Sequence, residues 1–452
     1  MTHFKNNLNF FIFLYILLLS NSKLLFTNIH FRHGSRGSIL LIDEEGKDLL
    51  GQKWKRRGML TPKGKKQSFM NGIKHRERYS DFLGKEYIEF DLQPYSTDSY
   101  RAISSLESYL NGLFYDCNSE ENYISDGETL FPPGNITQKM KNIGQKLGNN
   151  ALPPDSQVIP MNIFQKAEHK FVLHEPEKIS DCQPIRKIRK EIKLRNKYKE
   201  IVNEFKLKYG KSLENYFTEN NIKRQFNYSF DEIHLFCDTL YCDLNDNRNI
   251  SIPGINMDKL VESCNHILYT GQFDFVTPNR EVVMMSQTPP IQKLMKWMEN
   301  RIDLDLKGQS EKIKMGSPRY TIWSGHDSSL SSIQMFMKYI FGTKLSFPTF
   351  SFTIIFELHK NESDNYELRY IVNDEILIKI DYYEFKNKVT KYLWTEEQIS
   401  NFGHFSIINA EIMNKSIKKY LMIIVILVII LSLSVFINVW HCIRNREKQK
   451  IN

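Results

Sequence analysis

The chain of 452 residues contains no internal repeat, which excludes a solenoid or a propeller of stacked units. It carries no block of like charge. Lysines and arginines are interspersed with acids, so the net charge of +9 is no argument for nucleic-acid binding, and no nucleic-acid partner is expected. No run of His, Cys, Asp and Glu has the spacing of a metal site. Glu168, His169 and His174 come nearest, and no fourth ligand stands close to them. Cysteine is scarce, six in all, with none between Cys264 and Cys442. Low complexity is confined to two apolar runs at the ends. What the chain does have is apolar surface. With 41% hydrophobic and 13% aromatic residues it is not a disordered chain, and its length allows one large domain or two of medium size.

The two apolar runs read as membrane signals. Lys5 precedes an unbroken run from Phe10 to Leu19, too short to span a bilayer, and Ser20-Asn21-Ser22 offers small residues for cleavage. A signal peptide over 1–22 and a mature start near Lys23 are expected. At the other end, Leu421 to Trp440 holds no charged residue. A helix of about 20 residues at about 1.5 Å per residue covers the hydrocarbon thickness. Arg444, Arg446, Lys448 and Lys450 follow it, which puts the tail 441–452 in the cytoplasm despite Lys415, Lys418 and Lys419 on the other flank. The expected topology is a single-pass type I membrane protein with residues 23–410 in a lumen or outside the cell. Sequons at Asn135, Asn227, Asn249, Asn361 and Asn414 fit that side. So does disulfide formation among Cys117, Cys182, Cys237, Cys242 and Cys264. Five is odd, so one stays unpaired or pairs between chains. Cys237 and Cys242 are close enough for a small loop, but the connectivity stays open.

Three stretches share one grammar. Leu24 to Phe31 reads as a strand that ends in Arg32-His33-Gly34-Ser35-Arg36. "KEYIEFDLQPYSTDSYR" reads as a strand to about Pro94, then a helix opened by Ser96, Thr97 or Asp98 with Arg101 in its first turns. Tyr320 to Ser324 reads as a strand, followed by Gly325-His326-Asp327 and a helix from about Ser328. Strand, polar loop, helix, three times over, predicts an α/β fold: a central, mainly parallel sheet flanked by helices. Ligands of such sheets bind beyond the carboxyl ends of the strands, so the three clusters converge although they lie far apart in sequence. Between about 117 and 236 the pattern turns to dense charge at helical spacing, which predicts an inserted, mainly helical cap. "MMSQTPPIQKLMKWM" reads as a core helix and "QKWKRRG" with "PKGKK" as a solvated basic face. After Gly342, "FSFTIIFELHK", "NYELRYIVN" and "EILIKIDYY" read as consecutive strands.

Arg32, Arg36 and Arg101 drawn to one point would repel one another, and the arrangement makes sense around a dianion. Guanidinium forks match phosphate oxygens and stay charged at any working pH. A neutral His33 can attack phosphorus and form a phosphohistidine that water hydrolyses, splitting one displacement into two. Together with His326 the arginines stabilise the equatorial oxygens, and Asp327 is the candidate acid for the leaving group.

These residues resemble the histidine acid phosphatase family, within the wider histidine phosphatase superfamily. The resemblance rests on "FRHGSRGS", "STDSYRAISS" and "SGHDSS", in that order. It extends to "GMLTPKGKKQ" (Gly58 to Gln67) and "LYCDLNDNRNISIPG" (Leu240 to Gly254), over about residues 24 to 400. It implies a phosphoglycerate mutase-like sheet, His33 as nucleophile, Arg32, Arg36, Arg101 and His326 as phosphate ligands, Asp327 as proton donor, and no metal or other cofactor. The expected activity is an acid phosphatase on phosphate monoesters, in an acidic lumen or at the cell surface, and a homodimer is compatible with it. Two alternatives stay open: a catalytically silent anion-binding module of the same fold, or specificity for phytate or for a lipid or sugar phosphate. Ser38 stands where the family has proline, which is expected to loosen the loop. The family's bridge from a cysteine near Cys242 to one after the HD pair cannot form here, because the second cysteine is absent.

Overall fold

The computed structural model describes residues 22–40, 42, 44–115, 117, 136–150, 152, 157–164, 188, 191, 195–222, 226–277 and 279–399. The expected leader up to Asn21, the apolar run 421–440, the tail, Cys182 and the Glu168, His169 and His174 group lie outside them. Among the described residues no helix is long and apolar enough to cross a membrane.

β1 (Lys23–Arg32) is buried over its last eight residues because it lies inside the sheet and is covered on both faces. Alternation then decides which core each side chain joins. Ile29 and Phe31 pack with Leu106, Tyr109 and Leu113, whereas Phe26 joins Trp297, Met298 and Phe336. The first group of partners comes from α2 (Tyr100–Leu113), which crosses α1 (Pro62–Arg78). That crossing needs glycine: a Cβ at Gly72 would lie 2.1 Å from the Tyr109 carbonyl oxygen. α1 itself starts on Thr61, whose hydroxyl accepts from the Gly64 N–H, with Pro62 in its first turn.

β2 (Leu92–Thr97) runs on past Pro94, so Ser96 and Thr97 are strand residues and the α2 N-cap is Ser99, without a side-chain capping bond. β3 (Asn162–Phe164) is a short edge strand beside it. β4 (Tyr320–Gly325) leads through His326 into α8 (Asp327–Phe341), close to the expected boundaries. β5 (Thr353–Lys360), β6 (Tyr366–Val372) and β7 (Glu375–Asp381) follow, then α9 (Tyr382–Thr390).

The sheet order is β3-β2-β4-β1-β5-β6-β7. The pairings β3–β2, β2–β4 and β4–β1 are parallel, and β1–β5, β5–β6 and β6–β7 are antiparallel. The sheet is therefore mixed, which corrects the expectation of a mainly parallel one. The last three strands are joined by short connections, which can only return the chain antiparallel.

α3 (Gln138–Leu147) lies in the charged middle region. Beyond it, α4 (Asn196–Glu219), α5 (Phe230–Asn245) and α6 (Met257–Thr270) share a second core built from Phe205, Leu213, Phe236, Leu240, Leu260 and Ile267. Cys237 is bridged to Cys264 across α5 and α6, so the small Cys237–Cys242 loop does not form, and Cys242 and Cys117 are buried free thiols. A π-helical turn, Gly271–Val276, joins α6 to α7 (Arg280–Leu306). α7 carries the Met-rich stretch as a buried helix despite Pro289 and Pro290 inside it. Every helix and strand named above falls within one compact unit whose described residues run from 22 to 394.

Candidate active site

β1, β2 and β4 point the same way, so their carboxyl ends open on one edge. Arg32 ends β1, Thr97 ends β2 and Gly325 ends β4. The helices that follow, α2 and α8, begin there and turn their N-termini, the positive ends of their dipoles, toward it. Arg32, His33, Arg36, Arg101, His326 and Asp327 are all brought together at this edge. His33, Arg36, Arg101, His326 and Asp327 line a cavity of about 820 Å³, and Arg32 lies beneath it in contact with Asp327.

His33 is buried, at 2% exposure. Its Nδ1 lies 2.8 Å from the Gly34 carbonyl oxygen, which can only accept, so Nδ1 carries the proton and Nε2 keeps its lone pair. The Arg101 Nε–H donates to that Nε2 at 3.1 Å. Burial first, then the charges of Arg101, His326, Arg32 and Arg36, drive His33 well below the ordinary histidine pKa. With Nδ1 donating to Gly34 and Nε2 accepting from Arg101, the imidazole is the neutral tautomer. Gly34 places the loop: a Cβ there would lie 2.2 Å from the Gly64 carbonyl oxygen, and the Gly34 N–H donates to Ser105 Oγ at 3.1 Å. His326 sits between Arg101 Nη2, 3.2 Å from its Nδ1, and Thr97 Oγ1, 3.0 Å from its Nε2. A guanidinium can only donate, so Nδ1 accepts and the Nε2–H points to Thr97.

Two arginines of the cradle are paired with carboxylates. Arg32 Nη2 meets Asp327 Oδ2 at 2.5 Å, and Arg36 Nη2 meets both oxygens of Asp238 at 2.8 and 3.1 Å. Arg32 also donates to the Pro348 carbonyl and lies over the Phe350 ring at 4.5 Å, a cation–π contact. Arg36 Nη1 donates to Cys242 Sγ at 3.1 Å. The Nε–H groups of Arg32 and Arg36 are buried without a hydrogen-bond partner, donors suited to an anion. Burial alone would push the Asp327 pKa up. Arg32, Arg36, the Ser328 N–H and Arg101 outweigh it and hold the carboxyl below its ordinary value. Asp327 is thus paired as a carboxylate with Arg32.

The outer wall of the cavity comes from α5, with Phe230, Asp231, His234 and Asp238, and from Arg57, Tyr100 and Gln272. Asp238, Cys242 and Thr97 carry no signal of their own in the sequence. Thr97 lies inside the "STDSYR" stretch, but Asp238 is simply one acid on a helix until the fold sets it against Arg36. Ser38 is fully buried. Its Oγ donates to the Leu40 carbonyl at 3.0 Å and lies 3.2 Å from Thr239 Oγ1. The loop expected to be loose is tied to α5 at this hydroxyl.

The chain is similar to known proteins in sequence and in fold. A lysosomal acid phosphatase of Xenopus laevis is 23% identical over 362 residues, covering 79% of this chain and 71% of the relative. Among solved structures, a Hafnia alvei phytase in complex with myo-inositol hexakis sulphate superposes with a TM-score of 0.52 at 12% identity, over 82% of this chain and 98% of that one. The apo form of the Hafnia alvei phytase gives a TM-score of 0.50 at 11% identity, over 84% and 98%. At that identity the likeness is one of fold. The sequence pattern of the histidine phosphatase superfamily (branch 2) matches residues 5–274, which include Arg32, His33, Arg36 and Arg101, while His326 and Asp327 fall beyond the match and join the site through the fold. The chain belongs to the histidine phosphatase superfamily, branch 2.

Proposed function

We propose that this phosphatase hydrolyses phosphate monoesters at acidic pH through a phosphohistidine, with His33 as nucleophile and Asp327 as general acid. One observation carries the reading: a neutral His33 whose Nε2 lone pair is presented among the guanidiniums of Arg32, Arg36 and Arg101 beside a carboxyl. Nε2 attacks phosphorus, the ester P–O bond breaks, and Asp327 gives its proton to the departing alkoxide oxygen. A water then attacks phosphorus, its proton returns to Asp327, and the P–N bond breaks to release phosphate. The arginines and the two helix N-termini hold the equatorial oxygens throughout.

The wall supports a substrate with one phosphate. Outside the phosphate cradle the described lining residues include one cation, Arg57, and two carboxylates, Asp98 and Asp231, together with Ile39, Met59, Phe230 and Tyr100. A hexakisphosphate would meet carboxylates there. We extend the proposal to placement: residues 23–410 in an acidic lumen or outside the cell, held by 421–440. Release of the chain from membranes by alkaline carbonate would remove that anchor.

The test is hydrolysis of an aryl phosphate by the full-length chain at acidic pH in EDTA, with label from the phosphoryl group trapped on protein. The parent turns over and traps an acid-labile label, whereas His33→Ala does neither. Activity surviving in His33→Ala would overturn the nucleophile, and an inert, well-folded parent would favour a silent anion-binding module. A higher kcat/KM for inositol hexakisphosphate than for monophosphates would move the specificity to the phytase reading.

A further inference from the structure

Asp238 has no part in the chemistry just described, yet it sits in the cavity wall with both oxygens on one Arg36 nitrogen. A carboxylate that competes for a phosphate ligand is a cost to binding unless it serves the reaction. Its effect is visible in the charge of the cradle. Arg32, Arg36 and Arg101 bring three positive charges, and Asp327 and Asp238 bring two negative ones, leaving one positive. The imidazoles of His33 and His326 are neutral by their hydrogen bonds. A phosphate dianion entering that cradle leaves it one negative charge in excess, inside a buried site where such an excess is expensive. A proton on Asp327 restores neutrality.

Resting on the phosphatase reading above, we propose that Asp238 is a charge-setting residue of the phosphate site, which makes binding of a dianion require uptake of one proton by Asp327. The proton the leaving group needs would then arrive with the substrate. Without Asp238, three arginines, an ionised Asp327 and a dianion already sum to zero, and nothing draws a proton in. Asp238 can keep its place during binding, because Arg36 still has its buried Nε–H for the anion.

The groups around this pair are few. Asp238 faces Arg36 from the loop after β1, and Cys242, His234 and Asp231 lie near it on α5. Burial pushes the Cys242 thiol up and the His234 imidazole below its ordinary value, the latter against the pull of Asp238, Asp327 and Asp231. Asp327 faces Arg32, and feels Arg36 and Arg101. Arg57, Asp98 and Asp231 line the cavity further out and add no positive excess.

Sulfate is the probe, since it stays a dianion over the whole range and has no proton of its own to confuse the count. Calorimetry on the full-length chain, in buffers of different ionisation heat, reads the uptake directly. At about pH 6 the parent is expected to take up about one proton per sulfate, and its Kd for sulfate to weaken about tenfold per pH unit between about pH 5 and about pH 7. In Asp238→Asn the uptake falls toward zero, sulfate binds about tenfold or more tightly at about pH 7, and the alkaline limb of kcat/KM moves down by about one pH unit or more. Asp238→Glu restores the parent pattern. Asp327→Asn binds sulfate with no uptake and no pH dependence. Sulfate binding by the parent without proton uptake would overturn the proposal, whatever the variants do. So would full uptake in Asp238→Asn, or in Asp327→Asn, which would send the proton to a histidine. None of these results touches the His33 assignment, which stands or falls on His33→Ala.

Discussion

The two halves of the sheet differ in strand direction, and that difference separates chemistry from support. In the parallel half, β1, β2 and β4 end on one edge, so each contributes a loop and a helix N-terminus to the same cavity. In the antiparallel half, successive ends alternate between the edges, and no three of them can converge. β5, β6 and β7 instead supply core: Ile354, Phe356, Leu368 and Tyr370 pack with α7, α8 and α9. The antiparallel half and the helical region beside the site each bury a carboxyl, and the two are held in opposite ways. On β5, Glu357 accepts from Arg78 at 2.8 Å and from the Tyr79 hydroxyl at 2.8 Å, and its other oxygen lies 2.9 Å from His359 Nε2. Beside the site, Asp243 on α5 is fully buried with no hydrogen bond within normal distance on either oxygen, and its ion pair with Arg248 is long, 3.7 Å to Nε. Its neighbour Asp48 takes the donors, from the Leu50 and Gln52 N–H groups and the Trp54 indole.

The largest effect is expected from Glu357→Ala. It leaves Arg78 and His359 around a buried gap and should cost about 3–5 kcal/mol, read as a lower urea midpoint. The kcat of the protein that remains folded should not change, because no atom of this cluster reaches the cavity. A fall in kcat at unchanged stability would dissolve the division between the halves.

The two carboxyls should also give their regions opposite pH signatures. Burial would raise the Glu357 pKa, but His359, Arg78 and Tyr79 outweigh it and hold it down to about 2. Its contribution to stability is full above the ordinary carboxylate range and lost as pH falls toward about 2. Burial pushes both Asp48 and Asp243 up, and on Asp243 the charge of Asp48 adds to it and outweighs Arg248, to about 8. Here the folded state holds a proton the unfolded chain has released, so stability is full below the ordinary carboxylate range and falls as pH rises to about 8. The slope is at most about 1.4 kcal/mol per pH unit. Asp243→Asn should flatten the alkaline side of a plot of melting temperature against pH and leave the acid side alone. If Asp243→Asn leaves the alkaline slope in place, the shared proton is not there.

Much of the parallel half could be read from the chain, because there the signals are local. Strand, Arg or His, then a helix start is a pattern a few residues long, and the six residues it singled out meet at one edge of the sheet. The antiparallel half was legible as strands but not as direction. That β5 lies against β1 is settled by pairing across more than three hundred residues, which no local pattern records. β3 is three residues long, too short for a period to show. The disulfide eluded spacing because α5 and α6 pack side by side, bringing Cys264 rather than Cys242 to Cys237. Asp238 and the Asp48 and Asp243 pair are invisible for a related reason: an acid becomes a charge-setting or proton-holding group only through what the fold sets against it.

The smallest effect tests the border between the halves, at Ser38. A proline at this position would fix the backbone by its ring, whereas here the side chain does the fixing, through the Leu40 carbonyl, the Leu40 N–H at 3.1 Å and Thr239. Thr239 is the neighbour of Asp238 on α5, so the hydroxyl links the Arg36 loop to the helix that carries its partner. Ser38→Ala should cost about 1 kcal/mol of stability, the worth of a buried hydrogen bond. It should also lower kcat/KM several-fold, because the Arg36 fork loses its register on Asp238. The stability loss alone, with kcat/KM unchanged, would make Ser38 part of the support rather than part of the site, and would move the border to Arg36 itself.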